Sequence, residues 1–170
     1  MSEVDFPGMG FVLQKALPIH SKIRFIPSNE DVTDYTVWEK YLTDDIDMVF
    51  ISHAYSNTGQ LSPIDNVLSL ARSKNILSIL DVAQSVGIVP INLEALEPDF
   101  MIGSSVKWLC GGPGSAYLWV NSKRLPYCKP KDVGWFSHEN PFEFDIHDFR
   151  YKETAMRFWG GTPSIAPYVI

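Results

Sequence analysis

Basic residues are in deficit in this chain. Lysine and arginine number 14 against 20 aspartates and glutamates, for a net charge of −6 over 170 residues. No Lys/Arg block is dense enough to neutralise a row of phosphates, which argues against a nucleic-acid surface. Cysteine is rarer still: Cys110 and Cys128 have no CxxC spacing and read as reduced thiols of a cytoplasmic protein. His20, His53, His138 and His147 stand at neither helical nor finger spacing from other ligands, so metal binding is disfavoured. No signal peptide and no apolar run of bilayer length appear. No GxGxxG follows a strand, which weakens a Rossmann nucleotide-binding reading. Repeats and low-complexity stretches are absent too.

What is present is a core. Hydrophobic residues make up 45% and aromatics 13% of the chain, enough to exclude disorder. The length fits about one domain. Residues 1–15 read as the approach to a helix. The apolar end PSIAPYVI reads as a helix ending in Tyr168, Val169 and Ile170 with no stop signal, as expected of a segment of a larger chain or of a truncated product.

Between those ends the pattern alternates. KIRFIP at 22–27 predicts a strand, and 31–41 a short helix with Trp38 and Tyr41 at helical spacing. DMVFISHAY at 47–55 is nearly continuously apolar, as in a strand covered on both faces. After the loop SNTGQLSP, Ser62 and Pro63 offer an N-cap and an N1 proline. Ile64, Val67, Leu68 and Ala71 then follow at i, i+3, i+4 and i+7, an amphipathic helix. Further strands are expected at 76–83, 99–105 and 115–120. This order predicts an α/β fold: three layers, with a mostly parallel sheet flanked by helices. From Asn121 onward periodicity is lost. Residues 124–163 read as an irregular excursion across a surface, of the kind that faces a partner subunit.

Ligands of open α/β sheets sit outside the carboxyl ends of the strands. Ser56 and Asn57, Asp81, and Ser104 to Lys107 all fall there, so three strand ends deliver polar groups to one crevice. A lone aspartate at a strand end is more often a helix N-cap. Lys107, between apolar Val106 and Trp108, reads evenly as a buried, activated amine or as a snorkelling rim residue. Together they suggest an amine that holds the aldehyde of pyridoxal 5′-phosphate (PLP) and a carboxylate that faces its pyridine nitrogen. Gln84 could reach the ring's phenolic oxygen. Ser104 and Ser105 could donate to a phosphate, and Gly111, Gly112 and Gly114 make a tight turn. Trp135 reads as a pocket wall or an interface anchor, and Thr162, after two glycines, as a phosphate contact. Packing and turn formation explain these last two equally well.

LDVAQSVG, SSVKWLCGGPG, HAYSNTGQLSPI, GWFSHENPFEFD and RFWGGTPSI together resemble the class V aminotransferase group of fold-type I PLP enzymes, and within it the kynureninase-like members. The resemblance covers nearly all of residues 5–170. It implies that Lys107 is the lysine joined to PLP, Asp81 the pyridinium partner, Gln84 a contact of the phenolic oxygen and Ser104 a phosphate contact. Trp135 and Thr162 match positions that reach cofactor or substrate at a homodimer interface, often from the other subunit. Ser56 and Asn57 match substrate- or ring-contacting positions. The implied substrate is an amino acid. Kynureninases carry His where Gln84 stands, and Tyr or His is usual where Val106 stands. In the family, a phosphate loop and a ring-stacking aromatic precede the matched segment, and a domain bearing a carboxylate-binding arginine follows it. The expectation is a partial catalytic domain with little or no activity alone. A non-catalytic remnant of the PLP fold, acting as an interaction module, is the competing reading.

Overall fold

A computed structural model describes residues 1–169. The chain opens with helix α1, Pro7–Ala16, started by Pro7 at a first-turn position where its missing N–H costs nothing. Helix α2, Tyr35–Tyr41, is capped by Asp34, whose carboxylate accepts from the Thr36 N–H at 2.8 Å. Strand β1, Met48–Ser52, leads to helix α3, Ile64–Ser73, and strand β2, Leu77–Asp81. The short helix α4, Leu93–Leu96, strand β3, Phe100–Ser104, and strand β4, Ala116–Val120, complete the set. Beyond them run four short 3₁₀ turns, Leu125–Tyr127, Trp135–Ser137, Ala155–Phe158 and Ala166–Tyr168.

The strands form one sheet in the order β1-β2-β3-β4. The first three are parallel and β4 runs antiparallel to β3. This is the expected mostly parallel sheet flanked by helices. Ile64, Val67, Leu68 and Ala71, the predicted stripe of α3, are all buried. They join Trp38, Val49, Ile51, Leu80, Val82 and Met101 in the core on one face of the sheet. Trp38 is fully buried, and its indole N–H donates to the Val32 carbonyl at 2.9 Å. On the other face, Leu13 of α1 and Leu17 just after it line, with Met48 and Phe50, a hollow of about 540 Å³.

Three local expectations are corrected. Residues 22–27 form no strand; Ile26 makes an isolated parallel bridge with Ser2. KIRFIP alternates correctly, but a strand needs a paired ladder, and only Ile26 finds a partner. Ser62 does not cap α3. Its hydroxyl donates instead to the Ser52 carbonyl at 2.7 Å, and the N-cap position falls to Pro63, one residue before the helix. The apolar end makes only the Ala166–Tyr168 turn, with Ile170 lying outside the described residues.

Among the described residues, no helix is long and apolar enough to cross a membrane.

Candidate active site

Register decides what the open face of the sheet presents. Ser52 pairs laterally with Asp81, and Asp81 with Ile102. Paired residues of parallel strands point to the same side, so these three share a face, joined by Ser104 two residues after Ile102. The strands end here, and the segments that leave them close a cavity of about 400 Å³. Asp81, Gln84, Ser104, Lys107 and Ser56 all line it. Five of the eight candidate residues therefore converge on one site. Asn57 is exposed in the adjacent turn and does not line this cavity.

Each side chain has a local reason for its position. The Asp81 carboxylate accepts the Ala83 N–H at 2.8 Å, which fixes its rotamer at the strand end. The chain then coils, with the Ser85 and Val86 amides donating to the Val82 carbonyl at 3.0 and 2.9 Å. That turn carries Gln84 to the cavity. Lys107 sits in the loop after β3, where the Cys110 N–H donates to the Lys107 carbonyl at 3.0 Å. Gly111 folds back so closely on Ser105 that a Cβ would lie 2.6 Å from its Oγ. The glycines beside Lys107 therefore serve loop closure, and none of Gly111, Gly112 or Gly114 lines the cavity.

Burial pushes the Asp81 carboxyl above its ordinary range, while the Ala83 N–H and then the Lys107 ammonium pull it back. Lys107 is solvent-exposed at this rim, as are Val106 and Trp108 beside it, so the burial expected from its apolar neighbours is not realised. Its ammonium stands 5.9 Å from the centroid of the Phe6 ring.

Phe6 is a wall residue that sequence reasoning missed, along with Met9 and Ser52. An aromatic ring for stacking was expected only upstream of this chain. The available signal was the aromatic directly before the proline that starts α1. That residue stands at the helix entrance and is 55% exposed.

Trp135 and Thr162 lie elsewhere, in the irregular segment. Trp135 is 47% exposed and packs on Phe136 and Phe142, with centroids 4.6 and 6.0 Å away. Thr162 is exposed. Their loops touch each other: a Cβ on Gly134 would run into the Gly160 carbonyl. Buried Arg157 ties the segment down by donating to the carbonyls of Lys152, Leu125 and Cys128 at 2.8–2.9 Å. His138 accepts from the Asn140 N–H at 3.0 Å and donates through Nε2 to the Asp148 carbonyl at 2.8 Å, a structural role.

An amine, a carboxylate and hydroxyls around a cavity lined by two aromatic residues, Phe6 and Tyr117, suit a flat, anionic, aldehyde-bearing pyridine. The model of the family Aminotransferase class-V matches residues 15–170. The chain belongs to the class-V aminotransferase family. The cofactor of that family is pyridoxal 5′-phosphate. The chain is 29% identical over 165 residues to the uncharacterized aminotransferase YcbU of Bacillus subtilis, covering 96% of this chain and 42% of that protein. It is 31% identical over 127 residues to kynureninase of Deinococcus radiodurans, covering 74% of this chain and 31% of that one. Among solved structures, the cystine C-S lyase C-DES, in complex with cysteine persulfide, superposes with a TM-score of 0.84 at 25% identity over 98% of this chain and 45% of that one. Cysteine desulfurase CsdA of Escherichia coli gives 0.79 at 20% identity, over 98% and 40%. The chain thus spans less than half the length of these relatives.

Proposed function

We propose that this chain supplies the cofactor-holding part of a PLP-dependent enzyme acting on an amino acid. The observation that carries the reading is the placement of Lys107 and Asp81 on one cavity at the carboxyl ends of adjacent strands. PLP, when bound, supplies an electron sink for charge developing at a substrate carbon. The protein's own groups do the rest. Lys107 would hold the cofactor through its amine and could move a proton beside the substrate. Asp81, anchored by the Ala83 N–H, would face the pyridine nitrogen as a hydrogen-bond acceptor. Phe6 offers the ring a flat apolar wall, Gln84 a donor to its phenolic oxygen, and Ser104 a donor to phosphate. Ser56, and Asn57 just beyond the cavity, are the substrate-side candidates.

The family likeness extends to kynureninases, C–S lyases and desulfurases. The finer proposal is a kynureninase-like hydrolase or a class-V aminotransferase or lyase. Trp135 and Thr162 would act at the site of a second subunit in a homodimer. A cytoplasmic setting fits the free thiols of Cys110 and Cys128.

The test is absorbance of the purified chain titrated with PLP. A visible band of lysine-bound cofactor, absent in Lys107→Ala, supports the proposal. No band with the wild-type chain refutes cofactor holding and favours the interaction-module reading.

A further inference from the structure

The loop that carries Lys107 has little of its own to hold it in place. Every residue from Val106 to Cys110 is exposed, so no buried side chain pins the loop to the sheet. Its shape comes from two backbone bonds. The Gly111 N–H donates to the Ser105 carbonyl at 2.8 Å, and the Cys110 N–H to the Lys107 carbonyl at 3.0 Å. Shape alone does not place the loop beside Asp81.

The segment after Asp81 is the opposite case. Val82 and Ser85 are fully buried. The Val82 N–H donates to the Ile102 carbonyl at 3.0 Å, and the Ile88 and Val89 amides donate to the Ser85 carbonyl at 3.1 and 2.8 Å. This anchored coil meets the lysine loop at Gly87. Gly87 has φ +93°, a conformation that L side chains rarely adopt. A Cβ there would lie 3.1 Å from the Trp108 carbonyl oxygen, 3.2 Å from its carbon and 3.1 Å from Leu109 Cδ2. Trp108 directly follows Lys107, so bare backbone of the Asp81 coil abuts the backbone next to the lysine.

We propose that Gly87 is a positioning residue for Lys107: it seats the exposed lysine loop against the anchored coil that follows Asp81, and so sets the place of the amine at the cavity. The meaning of this seating for a cofactor rests on the PLP reading; the seating itself does not.

Two further variants isolate the contact. Gly59 also has a positive φ, +72°, but a Cβ there meets nothing within 4 Å. Gly59→Ala therefore carries the torsional penalty without the collision. Leu109→Ala removes the side chain that reaches Gly87 and adds no strain, and Leu109 is 45% exposed, so the core does not need it.

Stopped-flow mixing with PLP separates two events. Association speeds up with PLP concentration. Capture does not: in it the Lys107 amine forms a C=N bond to the aldehyde carbon, and the aldehyde oxygen leaves as water. Gly87→Ala should slow capture about 10–100-fold, because misplacing a reacting group by about 1 Å can cost the upper figure, and should leave association unchanged. Leu109→Ala should slow capture less, and Gly59→Ala not at all. A folded Gly87→Ala chain that captures PLP at the wild-type rate overturns the proposal. If Gly87→Ala does not fold, Leu109→Ala decides, and capture at the wild-type rate overturns the proposal there too. In the cofactor-free chain, the amide NMR resonances of Lys107 to Cys110 should move in Gly87→Ala and stay in Gly59→Ala; resonances unmoved in both also overturn it. Moved resonances with a wild-type chain that takes up no PLP keep the seating and refute the cofactor reading instead.

Discussion

Replacing Gly134 by alanine should dislodge two loops at once. Gly134 has an extended backbone (φ −162°), so alanine faces no torsional penalty there. The obstacle is space. An added Cβ would lie 2.7 Å from the Gly160 carbonyl carbon and 3.4 Å from its Cα, with the carbonyl oxygen nearer still. All three are backbone atoms, so no rotamer change relieves the overlap. The neighbouring strand of chain must move, and with it the bonds that hold it. Those include the Ser137 hydroxyl, which accepts from the Gly134 N–H and donates to the Trp159 carbonyl, both at 3.0 Å. Forcing one extra methyl into packed surroundings costs about 1–3 kcal/mol, and unyielding backbone puts this site at or above the upper end. A loss of about 3 kcal/mol corresponds to a fall of roughly 6–12 °C in Tm for a chain of this size. Gly161→Ala is the matched control, since a Cβ there meets nothing within 4 Å. Thermal unfolding followed by circular dichroism, with tryptophan fluorescence for Trp135 and Trp159, would measure both variants. A Gly134→Ala protein that melts with the wild type would refute the reasoning.

Further outcomes are expected at Asp81, Arg157 and Trp38. PLP uptake should weaken as pH falls through the raised Asp81 range, above that of an ordinary aspartate, because protonation removes the acceptor for the ring N–H. Asp81→Asn should lose that pH dependence and bind PLP about 10–100-fold more weakly, the worth of one hydrogen bond to a charged group, as measured by absorbance titration. The stability sign is opposite: folding raises the Asp81 pKa, so stability falls as pH rises from the unfolded toward the folded value. Urea unfolding at neutral pH should therefore find cofactor-free Asp81→Asn no less stable than the wild type. Arg157→Ala should destabilise by about 3 kcal/mol or more, leaving three carbonyls short of a donor, and Arg157→Lys should recover little because an ammonium lacks the fork. Trp38→Ala should cost about 3–5 kcal/mol in urea unfolding, as for other large-to-small changes in a closed core.

The parallel strands were legible because covered strands read as unbroken apolar runs, and β1 through β3 each fall inside the predicted runs. Helix α3 was legible through its stripe, and Asp81, Ser104 and Lys107 through their position just past apolar segments. Residues 22–27 misled because alternation describes a strand's side chains and says nothing of a partner for its backbone. Ser62 misled because a hydroxyl before a helix has competing acceptors, and here the Ser52 carbonyl wins. Phe6 was missed for a different reason. It lies outside any periodic element, and its importance comes from β1 and β2, whose ends share its cavity only after folding.

The irregular segment shows where such reading stops, and why its two candidate residues stand together. Trp135 and Thr162 have no periodic signature, and neither meets the Lys107 cavity within this chain. Yet Gly134 and Gly160 touch through bare backbone, Ser137 links Gly134 to Trp159, and Arg157 anchors the segment by three carbonyls. GWFSH and GGTP are thus one folded unit, presented with Trp135, Phe142, Phe144 and Ile146 exposed. If that unit serves the site of a second subunit, Gly134→Ala should impair it through both residues together. Complementation between a Lys107→Ala chain and a Gly134→Ala chain would then restore cofactor binding in mixed dimers, and its failure with both chains folded would remove Trp135 and Thr162 from any shared site.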